Sequence, residues 1–209
     1  MSATAPRHRA GFSLLELIVV ISIIVLILVL VVPAFTTLGR AANLTTASAT
    51  VLDELNLARQ TALTRNRVVE VRFYLLCNEV DPTVAYRAVR SLLSDEAGDQ
   101  MFPMGGLKAL PVGIVALDDG KFSTLLSDTA RPRKAGEVEN LPNAPATPYT
   151  SIRFRPTGGV ELSPYTSSND NWFRTLKNER DPSYPDRPAG NFATIQLDPI
   201  TGRARQLRP

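Results

Sequence analysis

Two periods of hydrophobic and polar positions divide this chain. From Phe12 to Val32 the residues are apolar, interrupted only by Ser13, Glu16 and Ser22. A helix of that length rises roughly 31 Å, close to the hydrocarbon thickness of a bilayer. Beyond Pro33 the pattern turns amphipathic: in "AANLTTASATVLDELNLARQTALTRN", Val51, Leu55, Ala58 and Ala62 recur at the helical period, and Leu52 and Leu63 broaden the stripe. One long helix is therefore expected from residue 12 to Asn66. Thr45, Thr46, Ser48 and Thr50 weaken its middle. Pro33 removes a backbone hydrogen bond and Gly39 adds freedom, so a bend or local loosening is expected between them. Arg65 and Arg67 suit the negative end of the helix, and Asn66 can close it in the left-handed conformation.

After Asn66 the period changes to two. In "VVEVRFYL", Val69, Val71, Phe73 and Leu75 alternate with Glu70, Arg72 and Tyr74, which predicts a strand with one core face and one polar face. Weaker strands are predicted in "TVAYRAVRSLL" and "LPVGIVAL". "SIRFRPTGGVEL" reads as a hairpin turning near Gly158 and Gly159, with Ile152 and Phe154 inward. "FATIQLDPITGRARQL" reads as another, turning through Asp198–Gly202, with Ile195 and Leu197 inward. Residues 127–150 and 163–190 are rich in proline and polar residues and are expected to be irregular surface loops. The fold class is α+β: a long amino-terminal helix packed on an antiparallel sheet.

Composition removes several kinds of chemistry. The only histidine, His8, precedes the apolar run, and the only cysteine is Cys77. No imidazole-based triad, histidine zinc site or internal disulfide can be built in the folded part. Cys77, within "FYLLCN", is expected to be a small packed hydrophobe. No phosphate-binding loop, nucleophile elbow or CxxC occurs. "LDDGK" and "SSNDN" lack the ligand spacing of a calcium loop and read as polar turns. No enzyme activity, metal or cofactor is expected. The net charge is +3, too small to require a nucleic-acid partner. Arg203, Arg205 and Arg208 alternate along the last strand and could share one face. They suit either a few phosphate contacts or an edge strand protected by charge.

The start of the run holds the sharpest signal. Arg7 and Arg9 precede it, which orients a membrane helix with its amino terminus in the cytoplasm and the bulk outside. A cleaved secretory signal fits poorly, because the run is too long and Ala47-Ser48-Ala49 lies far downstream. A plain anchor fits the length and leaves Glu16 unexplained, since a carboxylate inside an apolar helix is costly.

The stretch "GFSLLELIVVISII" resembles the leader junction of type IV prepilins and of the pseudopilins of type II secretion. That resemblance implies cleavage between Gly11 and Phe12 by a prepilin peptidase and N-methylation of Phe12. It makes Glu16 the assembly glutamate, and Pro33 falls where the family has a helix proline. "LDELNLARQTALTRNRVVEVRF", "IRFRPTGG" and "TGRAR" resemble minor pseudopilins of the H type. "LNLARQTALTRNRVVEVRFY" looks closer still to the Verru_Chthon cassette protein D family. The implied organisation is a leader at 1–11, a membrane-spanning half-helix at 12–33, an amphipathic half at 34–66 and a β-rich domain at 67–209. The implied partners are the peptidase, other pilin-like subunits through the amino-terminal helix, and an inner-membrane assembly platform. The implied location is the bacterial inner membrane and then a filament outside the cytoplasm. Two other readings stay open: a DNA-binding minor pilin for uptake, and an unprocessed bitopic protein carrying a ligand-binding or enzymatic domain.

Overall fold

The computed structural model describes residues 13–77, 84–118, 121–126, 138–142, 144–161, 172–182 and 190–208; side chains 30–38 are also outside the description. One helix, α1 (Leu14–Arg65), leads into eleven strands. They are β1 (Val69–Cys77), β2 (Val84–Ser94), β3 (Met101–Pro103), β4 (Lys108–Ala109), β5 (Ile114–Ala116), β6 (Val138–Leu141), β7 (Ala144–Phe154), β8 (Val160–Glu161), β9 (Trp172–Asn178), β10 (Phe192–Leu197) and β11 (Ala204–Leu207). Every pairing is antiparallel. The fold is α+β, as the change of period requires.

The chain divides into two compact units, Met1–Gly39 and Arg40–Pro209. The helical span runs through Pro33 and Gly39 without a break. A proline deletes one hydrogen bond, and the neighbouring turns keep theirs. Among the described residues no helix is long and apolar enough to cross a membrane. The apolar run itself continues through Leu30, Val31 and Val32, whose side chains lie outside the description.

In the second unit, α1 is the central post. Leu44, Ala47, Val51, Leu55, Ala58 and Ala62 are buried and join one core with Val69, Val71, Phe73, Ile152, Phe154, Leu176, Ile195 and Leu197. The helical stripe thus extends two turns before Val51, through the threonine-rich stretch. Thr45, Thr46 and Thr50 bond back to carbonyls four residues earlier, which satisfies their hydroxyls within the helix. Leu63 stays 42% exposed, at the margin of the stripe. Asn66 takes φ 52° and ends the helix as expected.

The sheet order is β11-β10-β9-β5-β2-β1-β7-β6, with β3 and β4 also on β2 and β8 on β7. The far edge of β2 is shared by three short segments: β5 at Tyr86, β4 at Ala88–Val89 and β3 at Leu92–Ser94. Of these, β5 alone passes on to β9, where Ile114 opposes Asn178 and Ala116 opposes Leu176. "LPVGIVAL" therefore supplies only three strand residues, and Pro111–Gly113 forms the turn before them.

Both stretches expected to be irregular contain strands, which corrects that expectation. Within 127–150 lie β6 and the first part of β7, despite Pro145 and Pro148. Those prolines are tolerated because this part of β7 pairs only with β6, at the sheet edge. Within 163–190 lies β9, whose residues are all buried except Phe173. The prolines there flank the strand and do not interrupt it. Cys77 is exposed at the frayed end of β1, so it is not the packed residue expected.

Both hairpins expected near the carboxyl terminus are present, and their turns meet. Val160 N donates to Pro199 O at 2.8 Å. A Cβ on Gly159 would lie 2.9 Å from Ile200 O, and one on Gly202 (φ +63°) would overlap Gly158 O outright. Arg59 Nε of α1 donates to Thr201 O at 2.6 Å. The sheet therefore curls until the β10–β11 turn touches the β7–β8 turn under the last helical turns. Gly202→Ala combines a disfavoured φ with a backbone clash, and is expected to cost at least about 3 kcal/mol. Urea unfolding of the variant against the wild type measures it. Gly39→Ala, where a Cβ meets nothing within 4 Å, is the contrasting control and is expected to be neutral or to stabilise by up to about 1 kcal/mol.

Candidate functional site

The amino-terminal segment is built around Ser13. Its Oγ accepts from Glu16 N at 3.2 Å, and its carbonyl accepts from Leu17 N at 3.2 Å. Ser13 is thus the helix cap, and Glu16 is the third residue inside. Ser-x-x-Glu is the sequence signature of a capping box, in which an acidic third residue also faces the positive end of the helix dipole. This role of Glu16 was readable from the sequence and was missed there. Gly11 and Phe12 lie outside the described residues, and Pro33 is described by its backbone alone. From Leu17 to Val29 every large aliphatic side chain is 44–67% exposed, and Leu14 and Leu15 are more so. A helix apolar on all sides requires lipid or other helices around it.

A second polar constellation lies on the face of β1 and β2 turned away from α1. The alternation in β1 predicted that Glu70 and Tyr74 would meet solvent, but they are 1% and 0% exposed. The β6–β7 ribbon crosses over this face at Tyr74, with Leu141 packed in a small cluster with Tyr74 and Ala88, and two arginine side chains meet Glu70. Glu70 bonds Arg72 Nε at 2.6 Å and Arg153 Nε at 2.7 Å. Burial pushes the Glu70 carboxyl up, but the Arg72 and Arg153 contacts together outweigh it and hold the group below its ordinary value. Glu139, from β6, accepts from Arg72, Tyr74 and Arg90. Burial, then the bond to Glu139, raises the Tyr74 phenol far above its usual range, so it stays a proton donor.

Elsewhere the buried charges are structural. Glu54 of α1 meets Lys108 Nζ of β4 at 2.6 Å. Arg87, the extra residue where β2 bulges, forks onto Glu179. Arg174 of β9 is wholly buried, 4.5 Å from the Tyr86 ring centre and 5.5 Å from that of Phe73. Arg174 was not foreseen, because β9 lay inside a stretch read as a loop.

The terminal arginines do not share one face. Arg205 Nε bonds Gln196 Oε1 at 2.8 Å, on the outer side of the β10–β11 hairpin. Arg208 reaches Ser48 Oγ of α1 at 3.4 Å, on the helix side. Residues three apart on a strand point opposite ways. Arg203 and Arg205 instead border a groove of about 520 Å³ with Trp172, Gln196 and Asp198. Among the described residues no group of three or more histidine, cysteine or acidic side chains could hold a metal.

Comparison with known proteins bears on the first constellation. Residues 6–32 match the family model of the prokaryotic N-terminal methylation motif. That match supports a type IV prepilin-like protein. It implies processing by a prepilin peptidase and assembly with other pilins in general. No curated protein and no solved structure matches the chain.

Glu70→Gln is expected to lower stability at neutral pH by on the order of 3 kcal/mol, because it removes the buried carboxylate that both Arg72 and Arg153 bond. The folded-state pKa of Glu70 is depressed. Its contribution is therefore complete above the unfolded carboxyl value of about 4.3 and is lost as pH falls through the depressed one. Urea unfolding across acid pH is expected to show the two stability curves converging at low pH, with the shallower acid fall in the variant.

Proposed function

We propose that this chain is a non-enzymatic, prepilin-like structural subunit of the minor pilin or minor pseudopilin kind. It is cleaved between Gly11 and Phe12 and N-methylated on Phe12. The single observation that carries the reading is the methylation motif at residues 6–32 leading directly into a helix capped at Ser13. Arg7 and Arg9 hold the leader in the cytoplasm, the helix sits in the inner membrane, and the β domain lies outside. The processed helix then leaves the bilayer for a bundle of like helices on an inner-membrane platform. Type II-like secretion is the machine that the H-type and cassette-protein resemblances favour.

Glu16 has two successive tasks in this scheme. Before cleavage it belongs to the helix cap, where an acidic side chain is least costly. Cleavage creates an amine on Phe12, four residues before Glu16 in its own chain and within reach from neighbouring subunits. A carboxylate in an apolar bundle is tolerable only when paired, so mis-stacked helices are penalised. The pairing sets register more than it adds stability.

Co-expression with a prepilin peptidase, followed by intact-mass measurement and amino-terminal sequencing, tests this directly. The expected product begins with N-methyl-Phe12, and Gly11→Val is expected to retain the leader. Retention of Met1 in a functional wild-type chain would overturn the reading in favour of an anchored bitopic domain. Glu16→Ala is expected to be processed normally yet to co-assemble at least tenfold less, as read by crosslinking to partner subunits.

A further inference from the structure

Three hydrogen-bond donors on adjacent strands converge on one point of the outer sheet face. Arg72 and Tyr74 stand on β1, and Arg90 stands directly opposite Arg72 on β2. The point is filled by a carboxylate from a distant part of the chain. Glu139 Oε2 accepts from Arg72 Nη1 at 2.9 Å and from Tyr74 Oη at 2.5 Å, and Oε1 accepts from Arg90 Nη1 at 3.3 Å. Tyr149 of β7 walls the site, its ring 5.9 Å from that of Tyr74 and 4.3 Å from the Arg72 guanidinium carbon.

The two guanidiniums are held by groups other than their occupant. Arg72 is fixed by Glu70, which Arg153 also grips. Arg90 Nε donates to Gly105 O at 3.1 Å. Both cations therefore have positions that do not depend on Glu139 alone, and the Tyr74 ring stands beside them against Tyr149. Among the described residues Glu139 is the one carboxylate that Arg90 meets. An unmatched guanidinium in this largely covered position is costly, so Glu139 leaves only in exchange for another acid.

The ribbon that delivers Glu139 is poorly secured. Pro145 and Pro148 donate no ladder bonds, and the register between β6 and β7 slips between Glu139 and Leu141. Ala146 sits at φ 52°, the left-handed region that a residue with a Cβ rarely adopts. β6 ends the sheet order and pairs with β7 alone. Its grip on the sheet face beneath comes from Glu139 and from Leu141 against Tyr74 and Ala88.

We propose that Arg72, Arg90 and Tyr74 form a docking site for an acidic side chain of a partner polypeptide. Glu139 is its built-in competitor, which the partner displaces. The residue that fills the site displays the ligand chemistry: a planar acceptor taking one bond from each of two guanidiniums and a phenol. The site belongs to the β domain and depends on neither leader processing nor helix assembly.

The test uses the full chain in detergent micelles and a fluorescent oligoglutamate peptide, with oligoglutamine as control. By anisotropy, Glu139→Gln is expected to bind oligoglutamate at least tenfold tighter than the wild type. Adding Arg90→Met is expected to abolish the gain, and oligoglutamine is expected to bind neither protein. Hydrogen exchange of the wild type gives a second measurement that needs no variant. Saturating oligoglutamate is expected to speed exchange in residues 138–142 and leave β1 protected. A folded Glu139→Gln that gains no affinity overturns the proposal, and so does unchanged exchange in the ribbon. If Glu139→Gln does not fold, the exchange measurement decides alone.

Discussion

The domain depends on one crossing of backbones. For the sheet to enclose the second half of α1, the β10–β11 turn must pass against the β7–β8 turn with no side chain between them. Gly158, Gly159 and Gly202 provide that clearance, and the bonds from Val160 to Pro199 and from Arg59 to Thr201 fix it. Among the described residues the β9–β11 meander pairs with the rest of the sheet through the three residues of β5, so the crossing is its second backbone tie. Without it Ile195 and Leu197 would lose their stable apposition to the helix, and the continuous core would split in two. A contact worth little by itself thus controls a large buried apolar area.

That enclosure divides one continuous helix into two regimes of solvent. Leu44 to Ala62 satisfy their apolar stripe inside the domain, while the aliphatic side chains of Leu14 to Val29 stay largely exposed. Among the described residues the buried core is drawn from Leu44 onward. A chain built this way can hand its amino-terminal helix from one apolar environment to another without unfolding the domain. This separation, together with the methylation motif, is the physical content of the subunit reading.

How much of this was legible in the sequence follows from the range of the forces involved. The stripe through Val51, Leu55, Ala58 and Ala62 and the alternation in β1 are local periodicities, and both appear where expected. The two glycine turns were marked by composition, though nothing local shows that Gly158 and Gly202 touch each other. The outer face of β1 was misread for a related reason. Glu70 and Tyr74 alternate as solvent-facing residues should, and are buried through distant residues: Arg153 on Glu70, and Leu141 and Glu139 of the β6–β7 ribbon on Tyr74. That ribbon carries Pro145 and Pro148, which argue against a strand in any local reading. Arg174 was hidden in the same way, since a buried arginine stacked on Phe73 and Tyr86 follows from tertiary packing alone. At the amino terminus the opposite happened: Ser13 and Glu16 form a local capping signal that was overlooked beside the stronger motif containing it.

The outer face also bears on why the domain spends charge where apolar packing would serve. Replacing buried ion pairs by hydrophobic residues of similar volume is often neutral or stabilising. A ribbon meant only to cover β1 and β2 could therefore have done so with more residues like Leu141. Glu139 instead faces a phenol and two arginines, and the arginines are each bonded to something else as well. Such an arrangement discriminates by chemistry, accepting a carboxylate and rejecting an amide or an aliphatic group. It also leaves the sheet beneath intact when the occupant changes. Apolar cover would bind the ribbon with less selectivity, and a register slip between β6 and β7 would then cost little. The polar network gives up some stability for a unique position of the ribbon, and keeps the strands below it rigid whichever acid occupies the site.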